Sequence, residues 1–334
     1  MDKKLSLAEA YKDYFDIGVA LNPQTLKIGE EWIKKEFNCI TCENEMKPVS
    51  VQPALGEYLF KDADIITDYA ALNKLKVRGH TLLWHNQTGE WMFKDDNNKD
   101  LVCKNILYSR MKDHIDKVLK HYSGKVFCWD VVNEAISDES NEFLRTKSPY
   151  YEIVGNEEFI INAFKYAYES DPEVLLFYND YNTETPEKRD KIIRLIKSLK
   201  DKDVPIHGIG LQGHYNIFLD LNELKKSIEL FSSLDLLIHI TELDVSIYKH
   251  EEQEIRFDTP AEAGSRIDKQ IELYDKMFTL LREYKSEVKN VTFWGLNDKV
   301  SWLNYFPVQN RRNFPLLFDD ESKPKDAYNR IINF

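Results

Sequence analysis

The sequence is poor in the residues that interrupt regular structure. Its 334 residues include only 12 glycines and 11 prolines, while hydrophobic residues make up 43% of the chain. This composition excludes collagen-like, low-complexity and disordered proteins. Cysteine is also scarce, with four in all. Two of them form Cys39-x-x-Cys42, but a zinc or redox site of this type needs a second pair, so we expect buried thiols.

Long apolar segments are missing as well. No window approaches the roughly 18 apolar residues that span a bilayer, so the sequence predicts no membrane-spanning helix. Two lysines stand near the N-terminus, but Asp13 and Asp16 interrupt any apolar core of a secretion signal. We therefore expect a cytoplasmic protein, or a secreted one if a signal was removed.

Positive charge is outweighed by negative charge. The 45 lysines and arginines face 57 aspartates and glutamates, for a net charge of −12. Such a surface repels phosphate backbones and anionic lipids, so we expect neither nucleic acid nor membrane as a partner. Aromatic residues reach 13%, which suits either sugar stacking or core packing. The sequence favours neither a monomer nor a homo-oligomer.

Short apolar runs alternate with amphipathic helical segments along the whole chain. This alternation predicts an α/β fold, a (β/α)8 TIM barrel, over residues 1–334. A doubly wound sheet lacks support because no G-x-G-x-x-G follows any strand. We find no linker or repeat, and so predict a single domain without an appended binding module. The predicted strands span residues 16–20, 38–41, 77–83, 126–132, 175–179, 206–211, 236–241 and 291–294.

Polar and aromatic residues follow most of these strands, where a barrel carries its active site. Glu134 and Glu242 follow the fourth and seventh strands, which face each other across a barrel of eight. Paired carboxylates around one ligand are the apparatus of glycoside hydrolysis, with one group protonated and the other ionised. Asn133 could hold a sugar 2-hydroxyl. Flat faces for sugar rings and further hydrogen bonds would come from Trp84, Trp294, Trp302, Glu43, Asn44, Lys47 and His80.

Metal chemistry finds no support in the histidine pattern. The chain has eight histidines, but no His-x-His at a strand end and no His-Glu-x-x-His. We therefore predict no metal and no cofactor.

Three motifs carry a resemblance to a known family. They are Asp-Val-Val-Asn-Glu (130–134), Ile-Thr-Glu-Leu-Asp (240–244) and Gly-His-Thr-Leu-Leu-Trp-His (79–85). With them the chain closely resembles glycoside hydrolase family 10, the retaining endo-β-1,4-xylanases, from about residue 17 to 318. The resemblance implies that Glu134 is the general acid/base and Glu242 the nucleophile. It also implies that His214 hydrogen-bonds the nucleophile and that Asp244 orients this histidine.

The resemblance further implies a set of substrate contacts on xylan or xylo-oligosaccharides. Arg311 and Arg312 match a basic pair in the last loop, although a solvated or salt-bridged face would explain them equally well. The other implied contacts are Glu43, Asn44, Lys47, His80, Trp84, Gln87, Asn133, Tyr181, Asn182, Gln212, Trp294 and Trp302.

Other functions stay open at this point. A retaining β-1,4-glucanase or mannanase would use the same two glutamates on the same barrel. A non-catalytic polysaccharide-binding protein would usually lack one of them, and both are present. A metal-dependent barrel hydrolase would lose its activity to a chelator. We expect short xylo-oligosaccharides as the substrate, since the sequence shows neither a signal nor a binding module.

Overall fold

The apolar runs of the sequence form a closed barrel of parallel strands. The structure, a computed structural model, describes residues 5–95, 97 and 99–334. Eight strands pair in parallel in the order β6-β5-β4-β3-β2-β1-β9-β8, and pairing of β6 with β8 closes the ring, which confirms the predicted barrel. The strands are β1 (Asp16–Leu21), β2 (Cys39–Cys42), β3 (Lys76–Trp84), β4 (Cys128–Asn133), β5 (Leu175–Asp180), β6 (Gly208–Leu211), β7 (His214–Asn216), β8 (Leu237–Ser246) and β9 (Val288–Phe293).

Helices connect the strands and cover the outside of the barrel. In α8 the apolar residues at 192, 195, 196 and 199 are buried, a spacing that places them on one helix face against the strands. The helices are α1 (Leu7–Tyr11), α2 (Pro23–Glu36), α3 (Pro48–Val51), α4 (Lys61–Asn73), α5 (Lys104–Tyr122), α6 (Pro149–Val154), α7 (Glu158–Ser170), α8 (Pro186–Lys200), α9 (Leu221–Ser232), α10 (Pro260–Ala263), α11 (Ser265–Glu283) and α12 (Asp326–Ile332). Short 3₁₀ helices span Glu90–Met92, Asp298–Val300 and Trp302–Asn304.

Two glycines with positive φ mark breaks between elements. Apolar periodicity over residues 261–284 predicts one helix, but Gly264 has φ of +48° and separates α10 from α11. Gly213, with φ of +79°, follows β6, and the chain resumes as the short β7, which pairs with β8. This break matters for function because it places Gln212 and His214 at the mouth of the barrel.

The lower part of the barrel is filled by side chains. Phe177, His239 and the Arg78–Asp130 pair are buried inside it. A Cβ on Gly208 would lie 2.2 Å from the Phe177 ring, so glycine is required for this packing. Cys39 and Cys42 are buried and free, which confirms the expectation of buried thiols. The barrel is therefore a packed core, and its open end carries the polar residues.

Membrane insertion by a helix is not supported. None of the helices that the structure describes combines the length and the apolar character needed to cross a bilayer.

Candidate active site

The two glutamates predicted to act together both lie where the backbone departs from regular strand geometry. Glu134 directly follows β4 and has φ of +56°, a left-handed conformation that few non-glycine residues adopt. Glu242 lies in β8, where the pairing with β9 shifts register between Ile240 and Leu243. Irregularities of this kind occur beside active sites because they re-aim a side chain.

The Glu134 carboxyl group accepts two side-chain hydrogen bonds. Trp84 Nε1 donates to Oε2 at 2.9 Å, and Gln212 Nε2 donates to Oε1 at 2.9 Å. Burial raises the pKa of Glu134 above its ordinary value, and the negative charges of Asp180 and Glu242 add to this effect. The two hydrogen bonds oppose it without reversing it. Glu134 is therefore suited to hold a proton that it can donate.

Glu242 has the opposite electrostatic environment. Asn179 Nδ2 donates to Oε1 at 2.8 Å, His214 Nε2 lies 3.2 Å from Oε2, and His80 Nδ1 lies 4.0 Å from Oε1. Burial alone would raise the pKa of Glu242, but the charge of His80 and the hydrogen bond from His214 lower it to about 2. This carboxylate is ionised at neutral pH, and the two environments shift the pKa values of the two glutamates in opposite directions.

His214 connects Glu242 to a buried aspartate. Its Nδ1 atom lies 3.0 Å from Asp244 Oδ2, and Trp302 Nε1 donates to the same oxygen at 2.8 Å. Burial alone would lower the pKa of His214, but Asp244 and Glu242 outweigh it and raise the pKa to about 10. The imidazole is therefore a cation beside Glu242.

An array of amides lies between the two carboxyl groups. Asn179 Nδ2 contacts Asn133 Oδ1 at 2.9 Å in addition to Glu242, and Gln212 Nε2 lies 3.3 Å from the same Asn133 oxygen. Thr241 Oγ1 donates to Asn179 Oδ1 at 2.7 Å. That bond fixes the orientation of the amide, so that its NH₂ group faces Glu242.

Asn179 is a site residue that the sequence analysis missed. It lies in β5 next to the strand end, and this position was the available signal. Its contacts depend on Gly210 in β6, because a Cβ there would lie 2.1 Å from Asn179 Oδ1. Asn179 therefore fits only because the facing strand lacks a side chain.

His80 is fixed from within the barrel wall. Its Nδ1 atom lies 2.8 Å from Asp130 Oδ2, and Asp130 forms a bidentate ion pair with Arg78. The Trp294 ring packs edge-on against His80, with ring centroids 5.4 Å apart. All four side chains are buried. This network places His80 next to Glu242, and the Arg78–Asp130 support was not predicted.

The polar residues after β2 lie beside Trp84. Lys47 Nζ donates to Asn44 Oδ1 at 2.8 Å and lies 5.1 Å from the centre of the Trp84 ring. Asn22 Nδ2 donates to Glu43 Oε2 at 3.0 Å. Burial raises the pKa of Glu43 and lowers that of Lys47, although nearby glutamates oppose the second shift. The predicted group of Glu43, Asn44 and Lys47 is thus assembled next to the carboxylates.

The three predicted tryptophans border the site. The indole N–H of Trp84 donates a hydrogen bond to Glu134, and that of Trp302 donates to Asp244. Trp294 lies edge-on to His214, with ring centroids 6.3 Å apart. Their rings provide apolar surface around a polar centre, an arrangement suited to sugar rings.

Tyr181, Asn182 and Gln87 lie on loops around the mouth of the barrel. The Tyr181 hydroxyl is hydrogen-bonded to Arg145, whose Nε donates to the Glu134 carbonyl oxygen at 2.8 Å. Asn182 and Gln87 are exposed and have φ of +54° and +44°. The structure thus connects Tyr181 to the carboxylate site through Arg145.

Arg311 and Arg312 are held by other partners. Arg311 is buried, donates to the Glu252 carbonyl oxygen and lies 4.0 Å from the centre of the Tyr248 ring. Arg312 donates twice to Asp320, at 2.6 and 2.7 Å. The contacts of Arg312 agree with the alternative of a salt-bridged face, whereas Arg311 is held by a backbone carbonyl group and an aromatic ring. A contact of either arginine with substrate stays a prediction.

A metal centre is not assembled here. Within residues 5–95, 97 and 99–334, no three histidine, cysteine, aspartate or glutamate side chains are placed to hold an ion. The chemistry that the site can perform is proton donation by one carboxyl group and nucleophilic attack or charge stabilisation by the other.

Solved structures of similar proteins share this fold. Xylanase XynB from Paenibacillus barcinonensis, complexed with a conduramine derivative, is 43% identical, covers 99% of both chains and superposes with a TM-score of 0.95. A Thermobacillus composti GH10 xylanase is 46% identical over 98% of this chain and 99% of that one, with a TM-score of 0.88.

Curated relatives and a family model match over nearly the full length. An endo-1,4-beta-xylanase of Geobacillus stearothermophilus is 46% identical over 329 residues, 98% of each chain. A beta-1,4-xylanase of Dictyoglomus thermophilum is 47% identical over 330 residues, 98% of this chain and 91% of that protein. The family model "Glycosyl hydrolase family 10" matches residues 6–334. This chain therefore belongs to glycosyl hydrolase family 10.

Proposed function

We propose that this protein is a retaining endo-1,4-β-xylanase that hydrolyses β-1,4 linkages of xylan or xylo-oligosaccharides. The observation that carries the proposal is the pair Glu134 and Glu242, linked through Gln212, Asn133 and Asn179 in one hydrogen-bonded site that shifts their pKa values in opposite directions. Family membership and the xylanase names of the relatives support the choice of substrate.

The first step forms a covalent intermediate. The ionised Glu242 attacks the anomeric carbon while Glu134 transfers its proton to the departing glycosidic oxygen. The carbon–oxygen bond to the leaving sugar breaks as the bond to the Glu242 oxygen forms. Glu134 is left as a carboxylate, and the reducing-end fragment leaves with its new hydroxyl group.

The second step releases the sugar. Glu134 removes a proton from water, and the water oxygen attacks the anomeric carbon as its bond to Glu242 breaks. Two inversions give net retention at that carbon. This mechanism requires the carboxyl groups to be about 5–5.5 Å apart, which is the separation expected here.

The surrounding residues take supporting roles in the proposal. His214, held by Asp244, keeps Glu242 ionised, since a cationic imidazole stabilises the adjacent carboxylate. Asn133 holds the sugar 2-hydroxyl, a hydrogen bond that strengthens in the transition state. Gln212 positions Glu134. The mechanism uses no metal or cofactor.

The remaining predicted residues would bind the other sugars of the chain. Gln87 and the bulky indoles would crowd the position of a C5 hydroxymethyl group, which xylose lacks and glucose carries. Such a clash selects against glucans. Sugars on the non-reducing side would contact Glu43, Asn44, Lys47, His80, Trp84 and Gln87, those on the leaving-group side Tyr181 and Asn182, and the cover would be Trp294 and Trp302.

Two comparisons test the proposal. The purified protein should hydrolyse aryl xylobioside faster than aryl cellobioside, and proton NMR should detect the β-anomer as the first product. Faster cleavage of the cellobioside would contradict the xylanase assignment, and an α-anomer would contradict retention.

Xylotetraose should be cleaved faster per site than polymeric xylan if short oligosaccharides are the substrate. The expected cytoplasmic location stays a prediction, which fractionation of native cells would test.

A further inference from the structure

The backbone that follows Glu134 is held by a single hydroxyl group. Tyr178 Oη accepts from the backbone N–H groups of Ala135 at 3.0 Å and Ile136 at 3.1 Å. Because both neighbours are donors, the one hydroxyl proton is left for Asp180, whose Oδ2 accepts it at 2.5 Å. Two consecutive peptide groups next to the left-handed Glu134 are therefore anchored to β5.

Asp180 is itself fully buried and hydrogen-bonded. Its Oδ1 accepts from the Tyr181 N–H at 2.9 Å and lies 3.1 Å from Lys188 Nζ, which reaches it from α8. Tyr178 and Asp180 are two residues apart in β5, so they share a face of the strand, opposite to Asn179. Asn179 contacts Glu242, so Asp180 lies behind the site and cannot touch a substrate.

We propose that Tyr178 and Asp180 are positioning residues for Glu134. The hydroxyl group holds the acid/base in its left-handed backbone conformation, and Asp180, which accepts the hydroxyl proton and pairs with Lys188, adds a negative charge that favours the protonated form of Glu134. The inference rests on the proposed function, since it assigns a purpose to a protonated Glu134. In support, Asp180 is the strongest charged contributor among the causes that raise the pKa of Glu134, after burial. Burial raises the pKa of Asp180 as well, and the adjacent Lys188 and the Tyr178 hydroxyl group oppose this by stabilising the ionised carboxylate.

The cations near Asp180 are shared with another carboxylate. The positive charges of Lys188 and Arg145 have a second acidic partner in Asp138, at 2.9 and 2.8 Å. Lys188 also donates to the Ile136 carbonyl oxygen at 2.9 Å, which ties α8 to the same backbone segment. The titratable and charged groups that face Glu134 or Asp180 are Glu242, Lys47, Tyr178, Tyr181, Arg145 and Lys188.

The test uses two variants and a matched control. Asp180→Asn removes the charge at nearly constant shape, and Tyr178→Phe removes only the hydroxyl group. Asp298→Asn is the control, because Asp298 is also buried and paired with a lysine, Lys325 Nζ at 2.8 Å. The pKa of Glu134 is measured by ¹³C NMR of labelled glutamate, and the pH profile of kcat/KM by aryl xylobioside hydrolysis.

The two variants should have different effects. Asp180→Asn should lower the pKa of Glu134 and move the basic limb of the profile to lower pH, each by about one unit, as expected for loss of a nearby like charge. Tyr178→Phe should slow hydrolysis of phenyl xylobioside but spare formation of the glycosyl-enzyme from the dinitrophenyl compound, which needs no acid. Asp298→Asn should change neither readout.

Several results would overturn the inference. An unchanged pKa of Glu134 in Asp180→Asn would refute the proposed role of the Asp180 charge. An equal shift of this pKa in Asp298→Asn would refute it as well. If Asp180→Asn fails to fold, equal losses of Tyr178→Phe on both aryl substrates would still refute the positioning role. Because the NMR titration needs no turnover, a shifted Glu134 pKa in a protein without xylanase activity would refute the proposed function alone.

Discussion

The Nε2 atom of His214 lies 3.2 Å from Oε2 of Glu242, and the other ring nitrogen faces Asp244 at 3.0 Å. The imidazole is thus held between two carboxylates. Each of them raises the pKa of His214, and the resulting cation lowers the pKa of Glu242. Together with the charge of His80, this histidine accounts for the low pKa of Glu242, and the removal of His214 should be visible in two separate measurements.

The first measurement is the acid limb of the activity profile. In His214→Asn, the pKa of Glu242 should rise from about 2 toward its ordinary value of 4.5, because the charge-assisted hydrogen bond is lost. The acid limb of kcat/KM should move to higher pH. His121→Asn is the matched control, since His121 Nε2 also lies 2.7 Å from a carboxylate, Asp64, but on the surface. An equal shift in the control would contradict the assignment.

The second measurement is stability against pH. The pKa of His214 rises from 6.5 when unfolded to about 10 when folded, so its proton stabilises the folded state fully below pH 6.5. This contribution is lost as the pH rises through about 10. The difference in Tm between wild type and His214→Asn should therefore shrink as the pH rises from 6.5 to 10. A difference that grows over this range would contradict the charged state of His214.

Gly210, in the wall of the barrel, should be required for full activity. A Cβ at Gly210 would collide with Asn179 Oδ1, whereas a Cβ at Gly208, on the same face of the same strand, would collide with Phe177 in the packed interior. Both Gly→Ala variants should lose about 1–3 kcal/mol of stability through overpacking. Gly210→Ala should in addition lose most of its kcat, since Asn179 moves away from Glu242. Similar kcat values for the two folded variants would show that Asn179 has no such role.

The effect of removing the acid, Glu134, should depend on the leaving group of the substrate. Glu134→Ala should reduce kcat/KM on xylo-oligosaccharides by about 10²–10⁴-fold, the usual contribution of general acid catalysis. Dinitrophenyl xylobioside should still form the glycosyl-enzyme and give a burst of dinitrophenol, because its leaving group needs no proton. Rapid-quench kinetics measures the burst. Uniform loss on both substrates would argue against Glu134 as the acid.

The sequence predicts the residues that follow the strand ends better than the contacts between them. Glu134, Glu242 and His214 could be placed because each follows a recognisable apolar strand, and strand ends of a parallel barrel meet at one rim. The break at Gly213 could not, since residues 206–215 read as an apolar run followed by polar residues. Only the backbone conformation shows that the chain turns there and resumes as β7.

The missed residues depend on neighbours from other strands. Asn179 donates to Glu242 only because Thr241 orients its amide and Gly210 leaves it room, and no local pattern in β5 encodes either contact. The Tyr178 hydroxyl likewise acts on Ala135, 43 residues away in the chain. Pairwise side-chain orientation of this kind is set by packing across strands, which periodicity cannot show.

The most direct test of the central claim is rescue of the two glutamate variants by azide. With an activated aryl xylobioside, Glu134→Ala should be reactivated and yield the β-xylobiosyl azide, because azide attacks the glycosyl-enzyme in place of water. Glu242→Ala should yield the α-azide, because azide enters the cavity left by the nucleophile and inverts the anomeric carbon once. ¹H NMR distinguishes the two products. The opposite stereochemistry, or rescue of neither variant, would contradict the assignment of the two carboxylates.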